Sequence, residues 1–379
     1  MNLGAVFIHL RDFKKARDFS LRALDIFEKH FGKDHPETGK IITNIGNAYR
    51  ELGDYAKGRD FLLRALNIVE KHFGKDHPNT AMTLMNLGNV YGDLGDNEKK
   101  IDLLLRSLEI DVKHFGKDNP KTGITLINLS NAYGDLGDYA KARDLLLRAL
   151  EIAEKHFGKE HPQTAEILDS LGTVYGVFGD YKKQRDLLLR ALDIKEKNFD
   201  KDHPQTIITL GKLGTAYGAL RDYAKARDYL LRALKINEEY LGKDHPQTAI
   251  ILSSLGAIYA DLKDYVGQKD FLMRALKINE KHFGKDHPET GITLINLGAA
   301  YYNFNDLKKS YEYQKRAYDI FLKSYGPGHQ HTKLSYQYLQ DINHSNNLNS
   351  LFGVQSNNPN PTYMQNLLNL LMGLPRNNP

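Results

Sequence analysis

The sequence predicts an all-α, right-handed superhelical solenoid of helix-turn-helix repeats, and two observations predict it. A 42-residue period runs almost the whole chain without insertion or deletion. Thr38, Thr80, Thr122, Thr164, Thr206, Thr248, Thr290 and Thr332 fall on it, as do Tyr49, Tyr91, Tyr133, Tyr175, Tyr217, Tyr259 and Tyr301. Within each period, apolar residues recur at helical spacing between Gly and Pro breakers. A period of this size marks stacked supersecondary units, each burying its apolar face on its neighbours. The core then grows along one axis, so 379 residues need not form one compact body.

The chain opens in register. Leu3, Gly4, Phe7 and Asp12 align with Ile45, Gly46, Tyr49 and Asp54, so residue 1 falls partway through a helix. The expectation is a truncated first helix, in a fragment, a truncated gene model or a decayed start. One full unit, residues 74–115, then shows the pattern. Gly74 suits the left-handed residue after a helix end, Pro78 the first turn of the next helix, and Asp76 or His77 its cap. Leu84, Leu87, Gly88 and Tyr91 place a first helix over about 78–94, and Gly95-Asp96 makes a turn. From about 97 to 115, Ile101, Leu104, Leu105, Leu108, Ile110 and Val112 form the broad stripe of a helix packed between neighbours. Gly46, Gly88, Gly172, Gly214, Gly256 and Gly298 recur inside the first helix, where Gly costs about 1 kcal/mol against Ala. Close approach of the two helices of a hairpin is the expected reason, with the Tyr three residues on packing over the crossing.

Eight hairpins fit before about residue 325, giving an array over 1–344. A capping helix is expected at 333–343, where Gln340 takes the Gly place and Asn343 the Tyr place. Residues 345–379 are an Asn-rich low-complexity tail. Within it, residues 363–374 form an apolar stretch of about three turns, expected to dock on a partner or on the array itself.

Composition narrows the function. With no Cys, thiol catalysis, disulfides and Cys-ligated zinc are excluded. A net charge of +5 over this length makes no nucleic-acid case, and Lys and Arg on the second helices alternate with Asp and Glu as a solvated face. No apolar run approaches the roughly 20 residues of a membrane span. No phosphate loop, nucleophile elbow or zinc-protease motif is present. His35, His77, His161, His203, His245 and His287 recur once per repeat, too far apart to converge on one ion, and read as loop and capping residues.

Leu87-Gly88-x-x-Tyr91 and, in the next unit, Ala142-x-x-x-Leu146 resemble the tetratricopeptide signature. The longer unit, with the run Gly158 to Thr164 (GKEHPQT) between hairpins and Arg148 to Lys155 (RALEIAEK) in the second helix, resembles the kinesin-light-chain type of that repeat over roughly residues 1–332. No heptad segment of the kind that binds a kinesin heavy chain is present. The resemblance implies a peptide-binding groove on the concave side, lined by first helices, and nothing about motor transport.

On the first helix the places of Asn86, Asn89 and Asp93 lie opposite the core stripe. Asn is a mediocre helix former, so its recurrence there suggests a use. Its amide both donates and accepts, as the backbone of an extended peptide requires. The expected groove residues are Asn44, Asn47, Asn86, Asn89, Asp93, Asn128, Asn131, Asp135, Lys212 and Asn296, the idle alternative being inherited repeat consensus. The carboxylates depart from the basic grooves that the resemblance implies. Gly92, Gly134, Gly176 and Gly218 either admit a ligand backbone or ease the turn.

These readings point to a non-enzymatic, cytoplasmic scaffold for a peptide or protein partner, with no cofactor, metal, nucleic acid or membrane span. The alternatives are a structural array that self-associates through its uncapped N-terminus, and the sensor repeats of a larger signalling protein.

Overall fold

The computed structural model describes residues 12–352, with side chains as far as 344. The truncated first helix around residues 3–9 and the apolar stretch 363–374 lie outside the described residues. The chain divides into two compact units, Met1–Val174 and Tyr175–Pro379.

In the first unit, the second helices Phe13–Phe31, Tyr55–Phe73, Asn97–Phe115 and Tyr139–His156 alternate with the first helices Pro36–Glu51, Pro78–Asp93, Pro120–Asp135 and Pro162–Val177, the last crossing into the second unit. The second unit continues with Tyr181–Asn198, Ile207–Ala219, Tyr223–Tyr240, Pro246–Asp261, Tyr265–His282, Pro288–Asn303, Leu307–Tyr325 and Gln330–Phe352. The described residues contain α-helices, one 3-10 turn (Pro204–Thr206) and no strand. The fold is an all-α solenoid of helix-turn-helix repeats.

Each recurring residue has a recurring bond. Asp12, Asp54, Asp96 and Asp138 cap the second helices by accepting from the backbone N–H three residues on, as do Asp180, Asp222, Asp264 and Asp306. The His row caps the first helices: Nδ1 of His35, His77, His161, His203, His245 and His287 accepts from the N–H two residues on. Asn119, which breaks that row, does the same with Oδ1 at 2.9 Å. The Thr row ties the loops, as in Thr38 Oγ1 donating to the Gly32 carbonyl at 3.0 Å and Thr80 to that of Gly74 at 2.8 Å. Those loop glycines sit near φ +90°. Asp200 holds the equivalent place, and there Thr206 donates to His203 instead and the helix starts with the 3-10 turn.

The helix-interior glycines are sites of close approach. A Cβ on Gly46 would sit 2.7 Å from Leu62 Cγ, and one on Gly256 2.8 Å from Leu272 Cγ. Tyr49, Tyr217 and Tyr301 stack on Phe61, Tyr229 and Tyr313 across the same crossings. The charged second-helix face is more ordered than a solvated stripe. Arg64 pairs with Glu28, Arg106 with Glu70 and Arg274 with Glu238, joining consecutive second helices.

The terminal helix runs Gln330–Phe352, longer than the expected 333–343 and past the expected boundary at 344. No Gly or Pro interrupts it before Gly353. Leu334, Tyr338, Leu339 and Ile342 bury its inner face.

Candidate binding face

Positions i, i+4, i+7 and i+11 share one side of a helix. On Pro78–Asp93 these are Met82, Asn86, Asn89 and Asp93, so the predicted amides and carboxylate form one stripe with an apolar residue at its head. Asn44, Asn47, Asn86 and Asn89 are half-buried and Asn131 is exposed. None of these five side chains makes a hydrogen bond to a described residue. Asn128, also half-buried, donates from Nδ2 to Met85 Sδ at 3.1 Å.

Three predicted residues take other roles. Asp93 accepts from Arg50 Nε at 2.5 Å and Asp135 from Lys100 Nζ at 2.8 Å, in each case from the preceding hairpin. They are ties between repeats, and the face carries less free negative charge than the carboxylate row implies. Lys100 crosses Gly92 to make its bond, and a Cβ there would meet its Cδ at 2.6 Å. Asn296 is 3% exposed, because Ile295 and Ala299 beside it draw that side of Pro288–Asn303 into the core with Leu334 and Tyr338. Lys212 lies half-buried on Ile207–Ala219 in the second unit.

Gly92 and Gly176 are packing residues, beneath Lys100 and Gln184. Gly134 differs: it lies in the last turn of Pro120–Asp135, and a Cβ there meets nothing within 4 Å. It leaves bare backbone between Asn131 and Asp135.

The apolar row was missed in the sequence although it obeys the same period. Met82 and Ile124 in the first unit and Ile208 and Ile250 in the second are 46–67% exposed. Lys40 and Glu166 interrupt the row. In the first unit three cavities line up beside it. One of about 830 Å³ is bounded by Phe19, Phe27, Asn44, Val69, Phe73 and Met82. One of about 220 Å³ shares Met82 and Asn79 with it. A third of about 230 Å³ shares Ile124 with the second and includes Asn128.

Two carboxyls near this face are perturbed by burial. Asp111, on Asn97–Phe115, is pushed up by desolvation, partly offset by a 2.6 Å bond from Thr125 Oγ1. Asp261, at the end of Pro246–Asp261, is raised to about 6 by desolvation, with Arg221 opposing, and its Oδ2 has no hydrogen-bond partner. Among the described residues no group of three or more His, Asp or Glu has the arrangement of a metal site, and no helix is long and apolar enough to cross a membrane.

A family model described as tetratricopeptide repeat matches residues 1–57, 40–111, 101–155, 121–197, 178–239, 205–266 and 269–323, and a second of the same description matches 248–289. The chain belongs to the tetratricopeptide repeat family. No curated protein matches it. Among solved structures it is similar to the apo form of the quorum sensor NprR from B. thuringiensis, at 16% identity and a TM-score of 0.64 over 84% of this chain and 85% of that one. The apo form of RapI matches at 17% identity and a TM-score of 0.59, over 74% and 97%. BtubC (BKLC) from P. vanneervenii matches at 20% identity and a TM-score of 0.53, over 62% and 92%. At these identities the likeness concerns the fold.

Proposed function

We propose that this protein is a non-catalytic scaffold that holds an extended peptide segment of a partner protein on the first-helix face of residues 36–135. The observation that carries the reading is the set of five Asn amides, at 44, 47, 86, 89 and 131, that bond to no described residue. Asn costs helix propensity at each place, so nothing in the fold favours it there. A peptide backbone presents a donor and an acceptor at each residue, and an amide answers both. The exposed apolar row beside the amides supplies area for side chains, and Gly134 supplies an open strip of backbone for close approach. The family is one of protein-binding arrays.

The test is selection of a random peptide library displayed on phage against the whole protein. Enriched peptides should bind wild type and lose most of their affinity on the variant carrying Asn44→Ala, Asn86→Ala, Asn89→Ala and Asn131→Ala. Each lost hydrogen bond is worth about 0.5–1.5 kcal/mol. Helicity should be unchanged. Failure to enrich any peptide, or enrichment of peptides that bind the variant equally well, contradicts the reading.

A further inference from the structure

The 220 Å³ cavity between Pro78–Asp93, Asn97–Phe115 and Pro120–Asp135 has a carboxylate in its wall. Asp111 is 7% exposed. Its Oδ2 accepts from Thr125 Oγ1, and no described residue bonds Oδ1. No ion pair reaches it. The two basic side chains nearest in effect, Lys121 and His114, are engaged elsewhere. Lys121 Nζ lies over the Phe115 ring, 4.2 Å from its centroid, and His114 Nε2 is 2.6 Å from the Asp76 carbonyl.

A buried carboxylate without a counter-charge costs stability, because lost hydration is not returned. The fold does not ask for it. At 42-residue intervals the same place holds Phe27, Val69, Ala153 and Phe321, all compatible with the hairpin. Where that place is polar in the second unit the group donates to a Thr hydroxyl: Lys195 Nζ reaches Thr209 Oγ1 at 2.9 Å, Asn237 Nδ2 reaches Thr248 Oγ1 at 2.7 Å, with its Oδ1 left unpaired, and Asn279 Nδ2 reaches Thr293 Oγ1 at 2.9 Å. Asp111 is the row's one carboxylate.

The walls are those of a slot for a cationic side chain. Met82, Met85 and Ile124 offer apolar surface to a methylene stem and Asp111 supplies the charge, while Lys121, which also lines the cavity, is held over the Phe115 ring. One repeat further, the 230 Å³ cavity has the same framework, with Phe157 in place of Phe115 and Ala153 in place of Asp111, so its floor is Ala149, Ile152 and Ala153. Packed helices lie about 8–10 Å apart, and an extended chain advances about 3.3 Å per residue. About three residues therefore span the two cavities.

Resting on the peptide-binding reading above, we propose that the ligand carries a lysine or arginine whose charged head pairs with Asp111, and an aliphatic or aromatic side chain about three positions away that fills the neighbouring cavity.

The test uses the whole protein and peptides enriched by the phage selection. A basic and an apolar residue should recur about three positions apart. Replacing that lysine by norleucine keeps the stem and removes the charge, and should weaken binding to wild type by about 10- to 100-fold, the range for a hydrogen bond to a charged group. Asp111→Val, a residue already accommodated at Val69, and Asp111→Asn should bind the lysine and norleucine peptides alike, with helicity retained and melting not lowered. Enriched peptides without a basic residue, or an undiminished preference for lysine over norleucine in both variants, overturn the assignment. The wider reading stands in that case if the fourfold Asn variant still loses binding. If no peptide is enriched, both fall.

Discussion

The first-helix faces of the two units occupy the same register and differ in what they leave unpaired. Among the described residues of Met1–Val174 the amide places hold six Asn, five of them without a hydrogen bond to a described residue, and on the unit's last first helix Ser170 and Thr173, which donate to the Glu166 and Asp169 carbonyls. In Tyr175–Pro379 the same places hold groups that bond their own helix, carry no amide or, at Asn296, lie in the core, where Nδ2 has no hydrogen-bond partner. Thr215 donates to the Lys212 carbonyl at 2.8 Å and Ser254 to that of Ile250 at 3.1 Å, Ala257 has nothing to offer, and Asn296 is buried. On the second-helix row the contrast is one of charge, with Asp111 lacking a counter-ion while Lys195, Asn237 and Asn279 each donate to a Thr hydroxyl and none of them is an anion. Since both units build the same hairpin, the unpaired groups of the first are not required by the fold. That is the physical basis for assigning ligand binding to the first unit.

The comparison can be sharpened with substitutions that separate fold from surface. The largest effect should come from glycines that look alike in sequence. Gly256→Ala places a Cβ 2.8 Å from the buried Leu272 and should lower stability by about 1–3 kcal/mol in urea unfolding. Gly134→Ala meets open space and should raise stability by about 0.5 kcal/mol while weakening peptide binding. If Gly134→Ala also destabilises, its bare backbone belongs to the fold.

Next come the caps. His77→Ala removes the acceptor for Asn79 N–H and should cost about 1 kcal/mol, whereas His77→Asn should restore most of it, as Asn119 does naturally. Equal losses in calorimetry would show that the ring's stacking on Phe73, and not its Nδ1, is what the array uses.

A smaller effect belongs to Asp261, because water still reaches part of the carboxyl. Its folded-state value near 6 lies above the ordinary value of about 3.9, so the folded state favours the protonated form. Stability from this group is fullest below about pH 4 and declines as pH rises toward 6, then stays level. Asp261→Asn should flatten that part of the pH–stability curve and raise the melting temperature at pH 7–8. An unchanged slope would place the titration elsewhere.

Much of this was legible in the sequence because repetition supplies its own alignment. The period gave the hairpins, the breaker run Gly74 to Pro78 gave their joints, and Gly46 and Gly256 announced the close crossings. What stayed hidden was pairing across repeats. Asp93 and Asp135 read as groove carboxylates until Arg50 and Lys100, from the preceding hairpins, were seen to bind them. Asn296 read as exposed because its neighbours Ile295 and Ala299 were not weighed as a burial signal. The row of Met82, Ile124, Ile208 and Ile250 was visible at the same spacing, but a single exposed apolar residue per helix carries no signal until the repeats are stacked.

The most direct measurement is the affinity of one selected peptide for two matched variants of the whole protein. One carries Asn86→Ala and Asn89→Ala in the first unit, and the other carries Thr215→Ala and Ser254→Ala in the second. The account predicts a loss of about 10-fold or more for the first, at about 0.5–1.5 kcal/mol per bond, no loss of melting temperature, and no change in affinity for the second. Equal losses in both, or loss in the first only alongside lowered stability, would contradict it.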